Sequence, residues 1–319
     1  MGDLAVGSQG ARGWGIPMAT DIAFALGVLT LLGPAVPLGL KVFLTALAIV
    51  DDMGAVVVIA VFYTASIAWG SVGVAALAML VLVALNRLGV RQLLPYLLAG
   101  IALWAALLVS GVHATIAGVL VAMAIPSRTR INARVFSDEA RRLLDDFDRS
   151  ETGDLLVLTS KGQQEALYEL DRTASAVQAP LLRLEHALHG PVSYLIMPLF
   201  AFANAGVSLR GISGVLTDRV TIGVLAGLLI GKPAGVMLFS WLAVRLKFAH
   251  LPAAVSWRDL HGAAWLAGIG FTMSLFVGNL AFGEGELLTA AKVGILIGSA
   301  VAGTVGWLIT RRTATDPES

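Results

Sequence analysis

Ala46-Leu47-Ala48-Ile49-Val50-Asp51-Asp52-Met53-Gly54-Ala55 sets two adjacent carboxylates inside an apolar stretch that runs from about residue 41 to 66. As a helix, a stretch of that length reaches across the hydrocarbon core of a bilayer. A charge near the bilayer centre costs about 2.5–3.5 kcal/mol on insertion scales, so a consecutive pair asks for a function. Neighbouring residues on a helix lie about 100° apart and can face one cavity. Two carboxylates this close do not easily ionise together in such a place. They are therefore suited to hold protons and to release them when a cation brings compensating charge.

Working outward, further apolar stretches lie at about 15–33, 71–88, 94–108, 111–125, 190–209, 220–245, 258–282 and 288–310, which predicts nine spans in all. Continuous runs such as Val72–Leu85 predict helices, because the strands of a membrane barrel are shorter and alternate in polarity. Composition agrees. The 319 residues are 57% hydrophobic and 13% charged, with a mean hydropathy of +0.83, whereas a soluble domain carries about 25% charged residues. A water-soluble globular protein is excluded, and the fold class is an all-α polytopic membrane protein. The 35 glycines suit close helix contact in lipid. With no cysteine, disulfides, thiol catalysis and Cys-ligated metals are excluded. A net charge of +1 leaves no nucleic-acid footprint. No nucleophile triad, metal motif or phosphate-binding loop stands out, so the chain is expected to be no enzyme and to need no cofactor.

Polarity divides the chain into a membrane bundle of five helices over residues 1–126, a charged loop over 127–189, a membrane bundle of four helices over 190–312 and a tail over 313–319. Residues 127–189 hold 20 of the 43 charged side chains. Ser137, followed by Asp138, Glu139 and the apolar Leu143, Leu144 and Phe147, predicts an N-capped amphipathic helix in that loop, and a second is expected from Gln163 toward His189. If connections alternate sides, Lys41, Arg87, Arg91, the run Arg128 to Arg142, Arg245, Lys247, Arg258, Arg311 and Arg312 fall on one side. Arg12, Arg210, Arg219 and Lys292 fall on the other. The first side is then cytoplasmic, and so are the loop and the C-terminus. An odd number of spans would leave Met1 outside, with no signal peptide in residues 1–13 to take it there. One or more N-terminal spans are therefore expected to be lacking.

Two more charges sit inside predicted spans, Asp21 and Lys232. Lys232, in Leu228-Leu229-Ile230-Gly231-Lys232-Pro233, is too far from either end of its span to reach water easily, and the partner expected for it is Asp51 or Asp52. Gly13, Gly15 and Pro17 break the first span just before Met18-Ala19-Thr20-Asp21, and Gly268-Ile269-Gly270 breaks the eighth before Phe271-Thr272-Met273-Ser274. Interrupted helices at matching places in two halves of a transporter mark an ion site at midplane, a rule for which the family named below is itself a standing example. Asp21 would offset the positive N-terminal ends of such half helices. Gly223, Gly227, Gly231 and Gly235, spaced by four, predict a small-residue stripe for helix contact. His113 reads either as a hydrogen-bonded packing residue or as a proton carrier. Glu185, His186 and His189 read as a titrating cluster at the mouth of the sixth span or as an interfacial polar turn. His186 and His189 are also spaced for a shared metal ion.

The stretches Gly13–Gly27, Ala46–Ala55, Pro198-Leu199-Phe200-Ala201-Phe202-Ala203-Asn204-Ala205-Gly206-Val207, Gly231-Lys232-Pro233 and Gly268–Ser274 resemble, in order, the bacterial sodium/proton antiporter family NhaA. The resemblance runs from about residue 13 to 312. It implies an inner-membrane protein of twelve helices with inverted repeats and two discontinuous helices, N-terminally incomplete here by three. It implies that Asp51 and Asp52 bind sodium, with lithium as the alternative ion, and protons in turn. It further implies that Lys232 pairs with Asp51, that Thr20 and Asp21 compensate charge at the helix crossing, and that Glu185, His186 and His189 sense pH at the cytoplasmic entrance. The expected function is sodium/proton exchange across the inner membrane, with sodium and protons as substrates, the lipid bilayer as surroundings and a homodimer compatible with it. The alternative is a truncated, non-transporting remnant or partner subunit of such an antiporter.

Overall fold

A computed structural model describes residues 10–62, 68–150, 160–206 and 212–315, and every regular element among them is helical. Packing divides the chain into two compact units, Met1–Thr64 with Ser193–Ser319, and Ala65–Val192. This division differs from the segmentation by polarity, because residues far apart in the chain meet in the first unit.

The first unit opens with α1 (Ala11–Met18), wound as a 3₁₀ helix, and α2 (Ile22–Leu31). Between them Ala19 and Asp21 are extended, so one apolar span is broken in its middle. Asp21 begins α2 as its N-cap, its carboxylate accepting from Phe24 N at 3.1 Å. The long α3 (Leu38–Phe62) buries Leu40, Leu44, Ala48, Ala55 and Ile59, a helical stripe with one gap between Ala48 and Ala55. Asp51 and Asp52 stand in that gap. The opposite face exposes Val42, Ile49, Val50, Val57 and Val61, as a lipid-facing surface does.

The second unit holds α4 (Trp69–Arg87), α5 (Leu93–Ser110) and α6 (Thr115–Ala124), packed around Leu82, Tyr96, Leu103 and Leu107. Gly111 ends α5 in the left-handed region at φ +82°, where an L side chain would be strained. Its charged portion forms α7 (Ala133–Arg149), α8 (Lys161–Val177) and α9 (Pro180–Pro191). Helix α7 starts at Asn132, whose side chain accepts from Val135 N at 2.9 Å, and Ser137 lies inside the helix rather than capping it. The expected single helix from Gln163 to His189 is two helices. Pro180 disfavours helical backbone at Ala179, which is extended, and the chain restarts with the proline in the first turn.

The first unit resumes at Ser193, inside a π-helical segment (Val192–Ile196), and continues with α10 (Met197–Ala205), α11 (Ile212–Leu216), α12 (Arg219–Ala226), a second π segment (Gly227–Gly231) and α13 (Lys232–Arg245). It ends with α14 (Trp257–Leu266), α15 (Phe271–Phe282) and α16 (Glu286–Thr315). Pro198 and Pro233 each follow a π segment by two residues. Proline has no N–H for the usual i−4 bond, and the wider turn accommodates the loss. Ile16, Ile59, Val224, Leu228, Leu275 and Ile295 form the core around the α1 and α15 half helices. In lipid such packing is held by close contact and hydrogen bonds rather than by apolar burial.

Among the described residues, six helices are long and apolar enough to cross a membrane, seven if the bent pair α14–α15 is one span. The stretch 111–125 yields only ten helical residues, Thr115–Ala124, about half the hydrocarbon thickness, because Gly111 to Ala114 lie outside the helix. The end of the 41–66 stretch and part of 190–209 lie outside the described residues. The small-residue stripe is mostly unused. A Cβ on Gly227 would come within 2.6 Å of Pro17, whereas Gly223 and Gly235 have open space beside them.

Candidate functional site

Thr20, Asp21, Asp51, Asp52 and Lys232 come from three separate stretches and meet where the broken span α1–α2 crosses the broken span α14–α15. The crossing is fixed by backbone and side-chain hydrogen bonds. Asp21 N donates to Ile269 O at 2.6 Å, Thr20 Oγ1 lies 3.0 Å from Ala267 O, and Ser274 Oγ donates to Ile16 O at 2.7 Å. Gly268 allows the second break to pass the π segment, since a Cβ there would lie 2.6 Å from Leu228 O.

Asp21, buried, serves two half helices at once. One oxygen caps α2 at Phe24 N; the other accepts from Thr272 N at 3.0 Å and from Thr272 Oγ1, at the start of α15. Two helix N-termini with orphan N–H groups and positive dipole ends thus share one carboxylate. Asp21 thus bonds to the starts of both α2 and α15.

Lys232 Nζ lies 2.9 Å from Asp51 Oδ2 and donates also to Met18 O, a carbonyl freed where α1 ends. Of the two partners open to Lys232, the geometry selects Asp51. The ammonium side chain is 8% exposed and the carboxylate 21%. Thr20 Oγ1 reaches the same Asp51 oxygen at 2.8 Å. Asp52, one residue on, has a buried Oδ1 with no hydrogen-bond partner. Leaving a buried carboxylate oxygen unsatisfied is costly, and Asp52 is the carboxylate of this crossing in that state. Gly54 gives Met18 the room to lie against this part of α3, with a Cβ there meeting Met18 Cε at 3.0 Å. In total three carboxylates share the crossing with one ammonium.

Several partners were invisible to sequence reasoning. Thr272 and Ser274 lie in the Gly268–Ser274 stretch, which by itself assigns neither a role; Ser299 and the carbonyls of Met18, Ala267 and Ile269 carry no signal, because any residue supplies a carbonyl and α16 reads as uniform apolar helix. Glu185, His186 and His189 are exposed on α9, in the other unit. His113 lies 3.3 Å from Thr115 Oγ1. Among the described residues no three His, Cys, Asp or Glu side chains are grouped to hold a metal ion, so His186 and His189 have no third ligand there.

An all-helical polytopic membrane protein in which two interrupted spans cross beside buried ionisable side chains has the build of a secondary ion transporter. The chain belongs to the Na+/H+ antiporter 1 family, whose model matches residues 3–310. It is 50% identical to the Na(+)/H(+) antiporter NhaA of Oleidesulfovibrio alaskensis over 96% of its own length and 68% of the relative's. It is 49% identical to that of Koribacter versatilis, over 97% of the chain and 67% of the relative, and 48% identical to that of Escherichia coli O1:K1, over 94% and 67%.

Proposed function

We propose that this chain exchanges sodium, and by the same chemistry lithium, for protons across the bacterial inner membrane. The observation that carries the reading is the unequal triad of Asp51, Asp52 and Lys232: an ion pair beside a carboxylate whose buried oxygen lacks a partner. A cation entering at Asp52 competes with Lys232 for Asp51, since both are positive and both need the same oxygen. With the cation bound, its single charge offsets one carboxylate and the displaced but still neighbouring Lys232 ammonium offsets the other, so the proton held by Asp52 is released. When the cation leaves, the carboxylates take up protons or restore the ion pair. One bound species therefore excludes the other, which is the condition for exchange rather than co-transport.

In this reading Thr20 and Asp21 keep the crossing compensated, and Glu185, His186 and His189 adjust activity with pH from the cytoplasmic side, where the C-terminus also lies. Inverted repeats and a homodimer are compatible with it. Similarity to antiporters over 96% of the chain favours exchange over a non-transporting remnant. The test is sodium-driven proton movement in proteoliposomes containing the chain. Asp51→Asn and Asp52→Asn should each lose at least tenfold in rate while still inserting, because an amide keeps size and hydrogen bonding but carries no exchangeable charge. A near wild-type rate in either variant would remove that residue from the cycle.

A further inference from the structure

We propose that Ser299, on α16, is a positioning residue for the ion site, acting through the break between α14 and α15. The proposal rests on the antiport reading and adds to it a residue that makes no contact with Asp51, Asp52 or Lys232.

A helix leaves its first N–H groups without partners inside the helix. At the start of α15 these groups are divided between two acceptors. Ser299 Oγ accepts from Gly270 N at 3.2 Å and from Phe271 N at 3.1 Å, and Asp21 takes Thr272 N. Ser299 is buried, so no water is at hand to replace it. Asp21 cannot simply take over, because one of its oxygens already holds Phe24 N and the other already accepts twice from Thr272.

The residues that Ser299 fixes at one end of the break are joined to the ion site at the other. Ile269 O, next to Gly270, accepts from Asp21 N. Ala267 O lies in hydrogen-bond reach of Thr20 Oγ1, which also reaches Asp51. Ser299 therefore holds the Gly270 and Phe271 amides, these amides fix the carbonyls of the break, and the carbonyls orient Thr20 and Asp21 against Asp51. The preceding residue of α16, Gly298, stands against Leu228 of the π segment that precedes Lys232, with a Cβ there 3.0 Å from Leu228 Cδ1. One turn of α16 thus braces both sides of the site.

Removing the hydroxyl leaves the two buried N–H groups of Gly270 and Phe271 without their acceptor, which loosens the break and with it the crossing that aims Thr20. Cation binding should weaken while the chemistry of the carboxylates is retained. The experiment uses the full chain, wild type and as Ser299→Ala and Ser299→Thr, in two measurements. Amide hydrogen exchange in detergent should show faster exchange at Gly270 and Phe271 in Ser299→Ala, with protection restored in Ser299→Thr. In proteoliposomes, half-saturating sodium should rise about three- to tenfold in Ser299→Ala, the part of the loss of two buried hydrogen bonds that reaches the site through the break, with a smaller change in maximal rate and recovery in Ser299→Thr. Unchanged amide exchange in Ser299→Ala would overturn the proposal. So would lost protection without a change in half-saturating sodium, which would make Ser299 a structural cap only, and so would a threonine variant no better than alanine. A wild-type chain that bound and exchanged no sodium would count against the antiport reading itself, and the amide measurement would still decide the cap.

Discussion

At Lys232 the ammonium touches one carboxylate oxygen and one carbonyl, Asp51 Oδ2 and Met18 O, and is nearly enclosed. Breaking a buried pair by removing one partner costs about 3–5 kcal/mol, because the other charge is left uncompensated. In Lys232→Ala that charge is the carboxylate of Asp51, which in buffer free of sodium and lithium can be neutralised only by a proton. The variant is therefore expected to melt well below wild type at alkaline pH and close to it at acidic pH. Equal melting temperatures across that range would show that the pair contributes nothing to stability. Thr20 offers a second residue-scale test. Its hydroxyl has a single proton and two acceptors, Asp51 Oδ2 at 2.8 Å and Ala267 O at 3.0 Å. With Asp51 ionised the proton points to Asp51; with Asp51 protonated, Asp51 can donate to Thr20 and the Thr20 proton turns to Ala267 O. Thr20→Val keeps the shape and removes both options, so exchange should fall at least tenfold, whereas Thr20→Ser should keep most of it. Initial rates of sodium-driven proton movement decide the matter, and a fully active valine variant would exclude a role for the hydroxyl.

At the scale of elements, the site depends on how closely broken helices approach. Gly268 comes closest to another segment's backbone among the described glycines: a Cβ would lie 2.6 Å from the Leu228 carbonyl and 3.1 Å from Ala302 Cβ, both on packed helices. Gly268→Ala is expected to cost about 1–3 kcal/mol, the usual range for overpacking. Gly223→Ala, with nothing within 4 Å of its Cβ, is expected to be neutral or to stabilise α12 by about 0.5–1 kcal/mol through helix propensity. Thermal melts of the two variants in detergent would separate these outcomes, and similar melting for both would contradict the close approach. From the sequence the four glycines spaced at 223, 227, 231 and 235 looked alike, and Gly268 looked like any other break. Spacing reveals which face a glycine lies on; only the packed partner reveals whether that face is crowded. The same holds for helix starts. Ser137 looked like a cap because it precedes acidic residues, but Asn132 wins the position since Ala133 to Phe136 continue the helix toward the N-terminus.

Over the whole molecule, the sequence by itself determined the class. Hydropathy shows that long apolar helices must satisfy their own backbone in lipid, and the cost of charge there singles out Asp21, Asp51, Asp52 and Lys232 without any coordinates. Gly and Pro clusters announced where two spans break, because those residues lack either the side chain or the N–H that a continuous helix uses. What only the tertiary structure decided is which of these groups meet. Asp51 and Asp52 are adjacent in the chain and equal in chemistry, yet one is held by Lys232 and Thr20 and the other keeps an unpartnered oxygen. That asymmetry follows from about 100° of helix rotation set against two other chain segments. The roles of Thr272 and Ser299, and of the carbonyls of Met18 and Ala267, arise in the same way. They are common groups made specific by the crossing, and pairing across distant segments is information that hydrophobic patterning does not carry.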